Sequence, residues 1–99
     1  MSETGDEIVD DRDAGRFEAT VDGVSAELTY RLDGTRLTLL HTGVPDEIGG
    51  RGIGGRLVRA AVERAVAEGL TLVPRCPFAR AWLERHPQSA EGLVVDPPL

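Results

Sequence analysis

Gly49-Gly50-Arg51-Gly52-Ile53-Gly54-Gly55-Arg56-Leu57 decides the reading of this chain, because it is a glycine-rich loop that runs straight into an apolar-periodic segment. A loop opening into a helix brings unpaired backbone N–H groups and the positive end of the helix dipole to one point. Glycine lets a phosphate approach the backbone with no Cβ in the way. The junction therefore points to a phosphate-bearing ligand held by Gly50, Arg51, Gly52, Ile53, Gly54 and Gly55. Arg56 either joins them or, like Arg59, is a solvated helix charge.

Downstream of the loop, Leu57, Ala61 and Ala65 recur every fourth residue beside Val58, Val62 and Val66, which predicts a helix over Gly54 to Glu68. Gly69 is a C-cap. Leu70 to Val73 predicts a short strand, and Pro74 to Pro77 breaks it. Phe78 to Arg85 predicts a second helix, stopped by His86-Pro87. Leu93 to Val95 is a candidate last strand. Upstream, Phe17, Ala19 and Val21 alternate with polar residues, as do Val24, Ala26, Leu28 and Tyr30. Leu37, Leu39 and His41 follow, with Thr38, Leu40 and Thr42 on the other face. Asp22-Gly23 and Asp33-Gly34 separate the three runs, the sequence signal of hairpins. The third run is apolar on both faces at its centre and so belongs inside a sheet; Val44-Pro45 ends it. The expected order is a strand meander, glycine loop, helix, strand and helix, a mixed α/β (α+β) domain with one right-handed crossover. Residues 1–13 are polar and acidic and read as a flexible segment, with Ile8 and Val9 as an alternative start of an edge strand. Residues 14–99 form the single domain.

With 99 residues the chain has room for one modest core. A net charge of -6 and a pI near 4.8 argue against nucleic acid and anionic membrane surfaces and suit a cationic or amine substrate. No apolar run is long enough to span a bilayer, and the acidic start is not a secretory signal. One cysteine, Cys76, allows no internal disulfide, so a reducing, cytoplasmic setting is expected. The chain has no lysine, which excludes a P-loop. Gly50-x-Gly52-x-x-Gly55 matches the dinucleotide fingerprint, but in the wrong context. It follows the third strand of a meander, and Leu72, Val73 and Pro74 stand where the fingerprint wants an acidic residue about twenty positions on.

Four blocks in order carry a resemblance: His41-Thr42-Gly43-Val44-Pro45, Gly50-Arg51-Gly52-Ile53-Gly54, Cys76-Pro77-Phe78 and His86-Pro87-Gln88. Together they resemble the short, single-domain GNAT-like N-acetyltransferase family of the YjdJ type, over about Phe17 to Gly92. The pattern differs at two places. Gly43 stands where that family carries glutamate, with Glu47 as a substitute carboxylate nearby in sequence. Gly49 stands where the wider GNAT loop carries Gln or Arg.

The resemblance implies a truncated GNAT fold that binds acetyl-coenzyme A and transfers acetyl to an amine. It implies that Gly50, Gly52, Gly54 and Arg51 hold the pyrophosphate. It also implies that the strand ending at Val44 splays from Leu70–Val73, with the pantetheine arm against backbone groups of Thr42 to Val44, where an N–H polarises the thioester carbonyl. Cys76 precedes a helix, between Arg75 and Arg80, where negative charge is favoured. It is a general acid toward the departing thiolate, a nucleophile, or a small buried apolar residue. His41 is either the proton acceptor for the amine or a satisfied strand histidine. His86 reads as a cap or packing residue, and Trp82 and Phe78 as core. The acceptor is open between a protein lysine, a polyamine and a small metabolite, and the oligomeric state between monomer and homodimer. The rival readings are a non-catalytic acyl-coenzyme A binding or sensing module, and a structural domain whose loop binds nothing.

Overall fold

The computed structural model describes residues 8–99 and contains a five-stranded sheet in the order β1-β2-β3-β4-β5. The strands are β1 (Ile8–Asp11), β2 (Arg16–Val21), β3 (Val24–Asp33), β4 (Arg36–Gly43) and β5 (Thr71–Pro74); the helices are α1 (Ile53–Glu68) and α2 (Pro77–Arg85). The first four strands form an antiparallel meander, and β5 returns parallel to β4 through α1. A parallel neighbour needs such a crossover, whereas the antiparallel ones need only the Asp22-Gly23 and Asp33-Gly34 turns. Mixed α/β architecture is what the alternation and the helical stripe predicted.

Phe17, Ala19, Val21, Ala26, Leu28, Tyr30, Leu37 and Leu39 make one apolar face of the sheet. Leu57, Val58, Ala61, Val62 and Ala65 of α1 and Ala79, Trp82 and Leu83 of α2 join the same core. Val66 does not, and is 55% exposed. At 3.6 residues per turn it rotates past the edge of the stripe that Leu57 to Ala65 define.

Three expectations change. Ile8–Asp11, expected within a flexible terminus, pairs with β2 as an edge strand; the rest of that expectation, residues 1–7, lies outside the described residues. The last strand reduces to a single parallel bridge, Leu72 to Val95. The third concerns the faces of β4. Its register with β3 jumps from Tyr30↔Leu39 to Thr29↔His41, leaving Leu40 as an extra residue. A bulge of this kind reverses the alternation beyond it. His41 therefore leaves the face of Leu37 and Leu39, and Thr42, opposite the buried Leu28, takes its place.

What pins β1 is a polar cluster under α1. Arg64, only 8% exposed, donates from Nη1 to Asp10 Oδ2 at 3.0 Å and to Tyr30 Oη at 2.9 Å. The Tyr30 hydroxyl donates to Asp10 Oδ1 at 2.5 Å. Arg12 Nη2 reaches Glu68 Oε2 at 2.7 Å. A buried guanidinium needs its donors satisfied, so Asp10 has a reason to be in a strand that hydropathy alone does not supply.

Candidate active site at the splayed end of β4

Strands β4 and β5 pair only from Arg36↔Thr71 to Leu39↔Pro74. Beyond that point both Arg75 N–H and Cys76 N–H donate to Leu39 C=O, at 3.1 and 3.0 Å. That carbonyl closes the ladder. The β5 chain turns into α2, while β4 continues through Leu40 to Gly43 with no strand among the described residues paired on its β5 side. The sheet thus opens into a cleft beside the glycine loop.

The loop is shaped in two steps. Pro45 ends the strand run, and a 3-10 turn at Asp46–Ile48 plugs Ile48 into the core. Gly50 and Gly52 then take left-handed φ values of 76° and 74°, which glycine adopts at no steric cost. Gly52 caps α1, and no side-chain cap takes up the first N–H groups. A groove of about 380 Å³ lies here, lined by Thr42, Val44, Gly49, Gly50, Gly52, Ile53, Gly54, Gly55 and Phe78. Of the ligands expected from sequence, Arg51 and Arg56 lie outside this lining. Arg51 Nη1 is 2.9 Å from Asp22 Oδ2 at the surface.

Gly54 and Gly55 are glycine for a different reason from Gly50 and Gly52. A Cβ on Gly54 would stand 2.7 Å from Phe78 Cζ, and one on Gly55 would stand 2.5 Å from Trp82 Nε1. The first turn of α1 and the side of α2 touch through these two positions. Trp82 is core, as expected, and stacks on His86 at 4.3 Å. His86 caps α2, its N–H bonding to the Trp82 carbonyl at 3.0 Å. Phe78, expected in the core, is instead 40% exposed and lines the groove, because it falls in the first turn of α2 over Gly54.

Cys76 and His41 are not brought together. Cys76 is the N-cap of α2, buried, with its Sγ 3.2 Å from Thr42 Oγ1. It stands at the splay, and Thr42 links it to the groove. His41 is exposed on the opposite face of β4, where its Nε2 lies 3.5 Å from the point a Cβ on Gly43 would occupy. Glu47, the substitute carboxylate considered from sequence, is exposed on the 3-10 turn and lines neither groove at the end of β4.

A second groove, about 340 Å³, opens on the His41 face and is lined by Glu18, Ser25, Ala26, Glu27, Gly43, Val44 and Pro45. It and the first groove share Val44. Glu27 was not singled out from sequence. It is an ordinary outward residue of a strand, and only the pairing Glu27↔Gly43 carries it to the end of β4.

The resolved shifts in ionisation fall in the polar cluster, away from both grooves. Burial and then the Asp10 carboxylate push the Tyr30 hydroxyl up. The Arg12 hydrogen bond is the main cause holding Glu68 below its usual range. Among the described residues no group of three or more His, Cys, Asp or Glu side chains is placed to hold a metal.

A model of the GCN5-related N-acetyl-transferase family matches residues 16–92. The chain belongs to the GCN5-related N-acetyltransferase family. The match runs from the start of β2 past α2, so β2 to β5, the loop and both helices lie within it, and β1 does not. Protein NATD1 of Mus musculus is 34% identical over 80 residues, 78% of this chain and 73% of that protein. The Gallus gallus NATD1 is 32% identical over 84 residues, 82% of this chain and 76% of its own length. The solution structure of a GCN5-like protein from Staphylococcus aureus superposes with a TM-score of 0.71 at 33% identity, covering 94% of this chain and 90% of that one. Among the described residues, no helix of this N-acetyltransferase-family chain is long and apolar enough to cross a membrane.

Proposed function

We propose that this chain is an acetyl-coenzyme A-dependent N-acetyltransferase that acylates an amine. The reading is carried by the groove at the splayed end of β4, where Thr42 and Val44 face the left-handed Gly50 and Gly52 and the uncapped first turn of α1. Backbone N–H groups at a helix N-terminus suit a pyrophosphate, and the strand edge beyond Leu39 offers unpaired backbone groups to a pantetheine arm. Acetyl-coenzyme A supplies the activated acetyl thioester. The chain's own part is to hold it, to accept a proton from the amine and to return one to the sulfur. In this reading Cys76, beside Thr42 at the splay, takes the second task, and His41, on the other face of β4, takes the first. A reducing compartment suits a chain whose single cysteine is a free thiol.

A non-catalytic acyl-coenzyme A binding module is the second reading, supported by the placing of His41 and Cys76 on opposite faces of β4 and by glycine at position 43. Titration calorimetry with acetyl-coenzyme A, using dephospho-coenzyme A and NAD as controls, tests what the two share. Micromolar binding of acetyl-coenzyme A but not NAD is expected, and no binding refutes both. Thiol release with an amine panel then separates them, since the binding module releases none.

A further inference from the structure

From Gly49 to Gly52 every residue but Arg51 is glycine, so Arg51 carries the stretch's side chain. The backbone bonds at its two ends are local: Gly49 N–H donates to Asp46 C=O at 3.1 Å, and Arg56 N–H to Gly52 C=O at 3.2 Å. A Cβ added to Gly50 or Gly52 would meet nothing within 4 Å, so neither is packed against a neighbour there. Ordering such a stretch is costly, because glycine loses more conformational freedom than any other residue. Arg51 nevertheless does not line the groove its loop surrounds. Its Nη1 donates to Asp22 Oδ2 at 2.9 Å, across 29 residues of chain. Asp22 stands at the tip of the β2–β3 hairpin with a left-handed φ of 52°.

We propose that Asp22 is a positioning residue for cofactor binding. Through Arg51 it ties the glycine loop to the β2–β3 hairpin and holds the loop's backbone N–H groups ready for the pyrophosphate. This rests on the acetyl-coenzyme A reading above and goes beyond it, because it gives Arg51 a task other than the phosphate contact expected from sequence. The topology supports it. Strand β3 leaves the hairpin at Val24 and pairs Glu27 with Gly43 and Leu28 with Thr42. Thr42 lines the same groove as Gly50 and Gly52. The ion pair therefore fastens the loop to the strand that carries the groove's β4 side, and so sets the distance between the two. The side chains of Arg51 and Asp22 are 47% and 73% exposed, so the pair adds little to the stability of the fold. What it changes is how far the loop is ordered before the ligand arrives, a cost the ligand otherwise meets on binding.

Calorimetric titration of acetyl-coenzyme A into the natural chain, Asp22→Asn, Arg51→Gln and the double variant tests this. Asparagine adopts a left-handed φ as aspartate does, so Asp22→Asn keeps the turn. Each single variant should raise Kd about two- to fivefold, the scale of an exposed ion pair, and the double variant no further. A phosphate-binding Arg51 gives the opposite sign. Asp22 would then compete with the pyrophosphate for it, Asp22→Asn would lower Kd, and Arg51→Gln would raise Kd even where Asp22 is already gone. An unchanged or lower Kd in Asp22→Asn, or a further loss when Arg51→Gln is added to it, overturns the tether and leaves the cofactor reading standing. Absence of acetyl-coenzyme A binding by the natural chain overturns that reading itself.

Discussion

Replacing Gly55 by alanine sets two effects of opposite sign against each other. In a helix interior alanine is favoured over glycine by up to about 1 kcal/mol. Against this, the added Cβ would stand 2.5 Å from Trp82 Nε1, 3.1 Å from Cδ1 and 3.4 Å from Cε2. Trp82 is 7% exposed and stacked on His86, so the indole cannot swing away without moving α2. Overpacking of this kind costs about 1–3 kcal/mol. The clash wins, for a net loss of about 1–2 kcal/mol, or about 5–15 °C in Tm for a domain of this size. Trp82 is the only tryptophan, so thermal unfolding followed by its fluorescence reads the contact directly. Gly54→Ala is the paired control. Its Cβ meets the ring of the half-exposed Phe78, which has solvent to move into, so its stability loss is smaller. A Tm of Gly55→Ala equal to or above that of the natural chain would refute the claim that α2 packing dictates glycine at that position.

Gly52→Asp should fold, because nothing lies within 4 Å of its Cβ and aspartate visits left-handed φ at modest cost. It should lose acetyl-coenzyme A binding by more than tenfold in calorimetry, because a carboxylate then meets the pyrophosphate; retained affinity would sink the loop assignment. Arg64→Met strips Asp10 and Tyr30 of their buried donor and should lower stability by about 2 kcal/mol in denaturant titration, with the Arg64→Met/Asp10→Asn pair losing less than the sum of the singles. On the acid side, Glu68 titrates lower in the folded state than in the unfolded chain. Its contribution is therefore present above the unfolded value and fades as pH falls through the folded one, and Glu68→Gln should flatten that limb of the stability curve. On the alkaline side Tyr30 titrates higher when folded. Its contribution is full below about pH 10 and is lost as pH rises through the folded value, a loss Tyr30→Phe should lack.

Several parts of the molecule were legible without coordinates, each because a local rule governs it. Alternation split by Asp-Gly pairs specified the hairpins of β2, β3 and β4. The four-residue recurrence and Gly69 specified α1 and its end. Gly50 and Gly52, whose φ values only glycine takes up freely, announced the loop through composition alone. Four ordered blocks carried the acetyltransferase family.

The rest depended on contacts between residues far apart in sequence. Strand β1 reads as a polar tail until Arg64, 54 residues on, is seen to need Asp10. The bulge at Leu40 has no sequence mark, since it exists only as a mismatch in register between β3 and β4. Yet it puts Thr42 in the groove beside the glycine loop and leaves His41 outside it. Gly54 and Gly55 look like more of the same loop but are glycine because α2 lies on them. Glu27 reaches the end of β4 only by standing opposite Gly43. Backbone conformation and periodicity are properties of neighbours along the chain, so the sequence alone determined β2 to β5, both helices and the glycine loop. Which face a side chain ends on, and what it meets there, is settled by pairing and packing between elements, and that belongs to the tertiary structure.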